Sequence, residues 1–130
     1  MSVGVLLITD GGIGQALMNS TRQTFGRLPL ATRLVAVSPE RSLEELALAA
    51  KQMISELNTG DGVLALTDLY GSTPSNLCAA LADGKRVVAV AGLNLPMLIR
   101  IYNYPRASLP ELSHIAVAGG RDGVMLIEQR

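Results

Sequence analysis

Four short runs, Val3 to Ile8, Leu34 to Val37, Val63 to Leu66 and Val87 to Ala91, are apolar at nearly every position. A strand with one face in water alternates polar and apolar residues. A strand without alternation must be covered on both faces, as in a parallel sheet clad by helices. Helical periodicities fill the intervals. From Ile13, apolar or small residues recur at Ala16, Leu17, Ser20, Thr24 and Phe25 in one stripe, and Gly26 supplies the stop. Ser42-Leu43-Glu44-Glu45 reads as a capping box opening a second helix, whose inward face is Leu43, Leu46, Ala47, Ala50, Met53, Ile54 and Leu57. Thr73-Pro74 opens a third, with Thr73 as cap and Pro74 at the first helical position, and Asp83-Gly84 closes it. Beyond the fourth run the pattern predicts a short helix within Pro96 to Tyr104, another over Ser108 to Gly119, and a last strand over Gly123 to Glu128. Strands alternating with helices predict a doubly wound α/β domain with right-handed crossovers, one domain over residues 1–130.

Two of the runs end in the same word. Val3 to Ile8 leads into Thr9-Asp10-Gly11-Gly12, and Val63 to Leu66 into Thr67-Asp68-Leu69-Tyr70-Gly71-Ser72-Thr73-Pro74. Ligands of open parallel sheets collect at the carboxyl ends of strands, where loops and helix starts converge, so Asp10 and Asp68 are the first candidates for a site. Gly71-Ser72-Thr73-Pro74 adds amides and hydroxyls at a helix start, where the dipole favours anions. Gly11 and Gly12 allow a tight turn and close approach by a partner backbone.

Composition narrows the function classes. With 11 basic and 11 acidic residues the net charge is zero, which argues against a nucleic-acid-binding face and against an electrostatic membrane anchor. Three tyrosines, one phenylalanine and no tryptophan leave little for stacking platforms. No run approaches the roughly 18 apolar residues needed to span a bilayer. No Lys or Arg precedes Val3, so no signal peptide is expected, and a cytoplasmic location is. The single cysteine, Cys78, falls in an apolar helical pattern with Leu77 and Leu81 and reads as a small buried hydrophobe.

The order and spacing of the two words, with a third at Ala91-Gly92-Leu93-Asn94-Leu95-Pro96-Met97-Leu98, resemble the IIA component of the mannose family of sugar phosphotransferase systems (PTS) over essentially the whole chain. The resemblance implies a mostly parallel sheet of strand order 2-1-3-4, helices on both faces, and a last antiparallel edge strand exchanged across a homodimer. It implies a phosphoryl carrier that receives its group from the histidine-containing phosphocarrier protein and passes it to a IIB component. In that family the first strand ends in Thr-His-Gly, and a ring nitrogen of the histidine accepts the phosphoryl group. Here that position is Asp10, which removes the acceptor nitrogen and is expected to abolish turnover. Asp68 matches the aspartate that fixes the histidine tautomer, and Thr73 the hydroxyl residue before proline. Gly71, Ser72 and Thr73 are the expected phosphate-binding residues. Gly11, Gly12, Leu69, Tyr70, Asn94 and Pro96 are the expected pocket or partner contacts. Gly119-Gly120-Arg121-Asp122-Gly123 is expected as the turn into the last strand. His114, the only histidine, lies between Leu112 and Ile115 in a helical segment and is expected as a solvated or partner-facing helix residue. No cofactor, metal, nucleic acid or membrane insertion is expected. The alternative is a non-enzymatic regulatory or binding module that keeps the IIA docking surface and carries a fixed charge at Asp10.

Overall fold

The computed structural model describes residues 2–128 of the 130. Nine elements follow in order: β1 Gly4–Asp10, α1 Ile13–Phe25, β2 Thr32–Val37, α2 Leu43–Leu57, β3 Val63–Thr67, α3 Thr73–Leu81, β4 Val87–Ala91, α4 Leu95–Tyr102 and α5 Leu109–Asp122. The strands form one sheet in the order β2-β1-β3-β4, and every pairing is parallel. The expected order and class hold.

Strand periodicity divides the core into two layers. Val5 and Leu7 of β1, with Leu64 and Leu66 of β3, face α1, α4 and α5, where Met18, Leu98, Ile101, Tyr102 and Leu112 are buried. Leu6 and Ile8, with Val63 and Ala65, face α2 and α3, meeting Leu46, Ala50, Leu57, Leu77 and Cys78. The central strands β1 and β3 are therefore covered twice, which is why their sequences show no alternation.

Several local expectations are corrected. The stripe of α1 runs through Gly14, Leu17, Met18, Thr21 and Phe25, while Ile13, Ala16 and Thr24 are exposed. Gly14 sets this rotation: a methyl there would lie 2.4 Å from Leu34 Cδ1 and 2.8 Å from Thr9 Oγ1, so only a glycine lets the first turn close on the sheet. In α2 the Glu45 amide donates to Ser42 Oγ, but the Glu45 carboxylate takes the Ser42 hydroxyl rather than its amide. The complete capping box forms instead between Ser108 and Glu111 at α5. Ser72, with extended backbone, caps α3, which shifts Thr73 to the first helical position and Pro74 to the second.

The expected last strand over Gly123 to Glu128 is absent. Helix α5 continues through Gly119-Gly120-Arg121-Asp122, and Val124 to Ile127 follow it without a strand partner, 74% to 97% exposed. The glycines that read as a turn are points of close approach: a methyl on Gly119 would lie 2.6 Å from Arg100 Cβ, and one on Gly120 would lie 3.0 Å from Met97 Cε. They let α5 pack down on α4. A strand also needs a hydrogen-bonding neighbour, and no residue of this segment is paired into the four-stranded sheet.

Candidate functional site

The β1 and β3 strands flank the switch point of the sheet and end at the same edge. Their pairing ends with Ile8 against Thr67, so Asp68 is the first residue past that pair on β3 and Asp10 the second on β1. Asp10 is still paired to Val37 of β2, which brings the loop between β2 and α2 to the same edge.

Thr9 does the local structural work. Its buried Oγ1 accepts the Gly14 amide at 2.9 Å, tying the first turn of α1 to the end of β1. The residue preceding that helix, Gly12, contributes no side-chain cap, and Gly11 turns the chain with φ +48°. Asp10 is therefore relieved of both turn and capping duty. Its carboxylate is exposed and has no hydrogen-bond or ion-pair partner among the described residues. Asp68 is half-buried and accepts one long bond, 3.4 Å, from Thr67 Oγ1.

The loop after Asp68 is knitted to itself. Ser72 Oγ donates to the Leu69 carbonyl at 2.6 Å and accepts the Ser75 amide at 3.3 Å, and the Gly71 amide donates to Ser75 Oγ at 3.1 Å. Gly71 takes φ +87°, a value that suits glycine. Of the three expected phosphate-binding residues, then, Gly71 and Ser72 have their donors engaged internally. Thr73 does not: its amide and hydroxyl lie at the start of α3 with no partner among the described residues.

Asp10 and Thr73 line one depression of about 370 Å³, together with Val37, Ser38, Pro39, Arg41, Leu43 and Leu46. Sequence inspection did not single out Arg41. The signal for it is topological: β2 neighbours β1, so the loop that leaves β2 must pass beside Asp10. Leu43 of that lining is exposed, as are the apolar side chains of Ile13 at the start of α1 and of Leu69 and Tyr70 in the loop after Asp68, the last 86% exposed.

Asn94 and Pro96 sit elsewhere. Asn94 caps α4 by accepting the Met97 amide at 2.9 Å and donates to the Gly120 carbonyl at 3.0 Å, so both ends of its amide hold α4 against α5. It lines a separate depression of about 530 Å³ along β4 with Val117, Arg121 and Val124. Pro96 lies under Gly123. Cys78 is buried beneath the site, and its thiol is pushed up to about 12, by burial first and then by the charge of Asp68. It stays protonated at neutral pH and offers no nucleophile. His114 is exposed on α5. No group of three His, Cys, Asp or Glu positioned to hold a metal occurs among the described residues.

A parallel sheet of order 2-1-3-4, with acid and hydroxyl groups gathered where strand order reverses, defines the doubly wound class whose ligands bind at that switch point. The profile of a family described as PTS system fructose IIA component, of the mannose type, matches residues 4–116, and the chain belongs to this family. It is 26% identical, over all of its length and 41% of the relative's, to the PTS system mannose-specific EIIAB component of Escherichia coli K12. It is 28% identical to the PTS system fructose-specific EIIA component of Bacillus subtilis, over 76% of this chain and 68% of that one. The solved mannose/sorbose specific IIA subunit from Enterococcus faecalis matches with a TM-score of 0.87 and 26% identity, covering 100% of this chain and 98% of that one. The chain spans about 41% of the length of its mannose-specific relatives.

Proposed function

We propose that the whole chain works as one IIA domain of a mannose-family PTS, with Asp10 standing where the family's acceptor histidine stands. It docks the histidine-containing phosphocarrier protein and a IIB component at the crevice of Asp10, Asp68 and Thr73, but does not itself carry the phosphoryl group. The observation that supports this reading most directly is Asp10 itself: an exposed, unpartnered carboxylate at the end of β1, beside Asp68 and in one depression with Thr73.

Transfer between carriers breaks the P–N bond on the donor histidine as a P–N bond forms on the acceptor ring. The donor nitrogen keeps the bonding pair, and the acceptor nitrogen supplies its lone pair. A carboxylate at Asp10 has no such nitrogen. It carries about one negative charge against nearly two for a phosphoryl group, so it imitates the phosphorylated state only in part. The exposed apolar side chains of Ile13, Leu43, Leu69 and Tyr70, all on loops or helix starts that follow strand ends, support docking of a protein surface rather than enclosure of a small molecule. The alternative function, a regulatory module that reads the phosphorylation state of its partners, uses the same face and differs only in the step after docking.

Two further features belong to this reading. Val124 lines the β4 depression, Val124 to Ile127 are exposed, and β4 has a neighbour on one side only. Exchange of this segment between two copies would cover both apolar strips, and we assign the domain to a homodimer. No helix among the described residues is long and apolar enough to cross a membrane, and we assign the domain to the cytoplasm with its proposed partners.

The test is phosphotransfer from labelled phosphoenolpyruvate through the general PTS proteins to this chain and to its Asp10→His variant, with the labelled residue mapped by mass spectrometry. Label on the variant alone, at position 10, is the expected result. Label on the native chain, or on neither protein, overturns the reading.

A further inference from the structure

We infer that Arg41 is the residue of this crevice that binds the oxygens of a phosphoryl group, forming with the amide and hydroxyl of Thr73 an anion subsite beside Asp10. The subsite takes the phosphoryl group borne by a docked partner. This rests on the IIA reading above and adds to it a residue that neither the family words nor their spacing indicate.

Placement comes first. Arg41 closes the turn from Ser38, its amide donating to the Ser38 carbonyl at 3.3 Å, and it lines the same depression as Asp10 and Thr73. No other lining residue of that depression is basic. Availability comes second. Arg33 and Arg100 are paired with Glu56 and Asp122, whereas Arg41 is in no ion pair among the described residues, although Glu40, Glu44 and Glu45 are close in sequence. An unpaired guanidinium keeps its rigid fork of donors for an oxyanion.

Electrostatic need comes third. Asp10 and Asp68 place two carboxylates at the edge that a phosphorylated partner must approach, and a phosphoryl group brings nearly two more negative charges. A crevice of that sign repels the modified partner unless a cation stands within it. Arg41 is that cation. Thr73, which lines the same depression from the start of α3, completes the subsite, because its donors alone among the loop's expected phosphate binders are free.

The experiment compares three variants, Asp10→His, Asp10→His/Arg41→Gln and Asp10→His/Arg41→Lys, in single-turnover phosphotransfer from the phosphorylated phosphocarrier protein below saturation. Charge-assisted bonds of this kind predict that Arg41→Gln slows transfer on the order of ten- to a hundredfold, and that Arg41→Lys, a point charge without the fork, recovers part of the loss. Equal rates for the first two variants, with matched circular dichroism, overturn the role of Arg41 and leave the IIA reading intact. If Asp10→His takes no label, the IIA reading fails, and the subsite is then decided by titrating the native chain and Arg41→Gln with inorganic phosphate. Shifts of the Arg41 Nε–H and Thr73 amide resonances in the native chain that vanish in Arg41→Gln support the subsite. No shift in the native chain, or equal Thr73 shifts in both, overturns it.

Discussion

Tyr102 and Thr32 form a hydrogen bond that joins the end of α4 to the start of β2. Tyr102 ends α4, is 2% exposed, and sets its ring edge-on to Phe25 at 5.9 Å. Its hydroxyl lies 2.6 Å from Thr32 Oγ1, and Thr32 Oγ1 itself donates to the Leu30 carbonyl at 2.9 Å. Since the threonine proton is used there, the tyrosine is the donor in the pair. Tyr102→Phe then removes one neutral bond and leaves Thr32 still donating, at a cost of about 1 kcal/mol. Thr32→Val strands a buried hydroxyl instead and costs about 2 kcal/mol or more.

The two variants also part company with pH. Burial, the largest cause, lifts the Tyr102 phenol from 10.0 to about 12, against smaller lowering effects of the Thr32 bond and the Arg22 charge. The folded state therefore holds the proton more tightly than the unfolded chain. Its contribution is fully present below pH 10 and is lost as pH rises toward about 12, a swing of roughly 2 to 3 kcal/mol at most. Tyr102→Phe has no phenol to ionise, so its deficit at neutral pH should shrink and then reverse above pH 10. Cys78, also lifted to about 12, adds an alkaline loss of its own, but the same one in both proteins, so it cancels in the difference. Urea unfolding followed by far-UV circular dichroism at neutral pH and above pH 10 measures this. Equal costs for the two variants at neutral pH, or a Tyr102→Phe deficit that does not change with pH, would refute the donor assignment or the buried-phenol argument respectively.

Two other perturbations test the frame of the site and the assembly. Gly14→Ala places a methyl 2.4 Å from Leu34 Cδ1 and 2.8 Å from Thr9 Oγ1, so it should cost about 1 to 3 kcal/mol by urea unfolding and move the amide resonances of Asp10 and Gly11; an unchanged Asp10 amide would show that the α1 seat does not position the site. Charged substitution at Val124 and Ile127, 79% and 97% exposed, should convert a dimer to a monomer by light scattering while leaving the thermal midpoint of a dilute sample unchanged; a native chain that is monomeric at high concentration removes the exchanged-segment proposal.

What the sequence made legible was what local periodicity encodes. Unbroken apolar runs marked strands covered on both faces, and the repeated Thr-Asp ending was enough to put Asp10 and Asp68 at one sheet edge, where the register of β1 and β3 has them. What it hid depends on contacts distant in the chain. Gly119 and Gly120 read as a turn because nothing local says that Arg100 and Met97 must approach them. Ser72 and Thr73 are both competent caps, and only the helix start chooses between them. Arg41 is one more charged loop residue until β2 is known to lie against β1. Asn94 matched a family word, yet its amide is used at both ends to join α4 and α5, away from the Asp10 depression.

The separation between frame and chemistry explains why the decisive comparison at position 10 can be read without ambiguity. Thr9 buries its side chain and anchors α1, Gly11 supplies the turn, and the β1 ladder to Val37 runs through backbone atoms that any residue offers. The Asp10 carboxylate takes part in none of this, so replacing it removes no contact that holds the fold, and exposed positions without such contacts change stability by within about 0.5 kcal/mol. A difference in phosphotransfer between the native chain and Asp10→His is then a difference in the acceptor atom. The same reasoning bounds Arg41, whose guanidinium holds no ion pair among the described residues. A loss of transfer on its removal, at unchanged stability, is then a loss of function at the crevice and not of the fold.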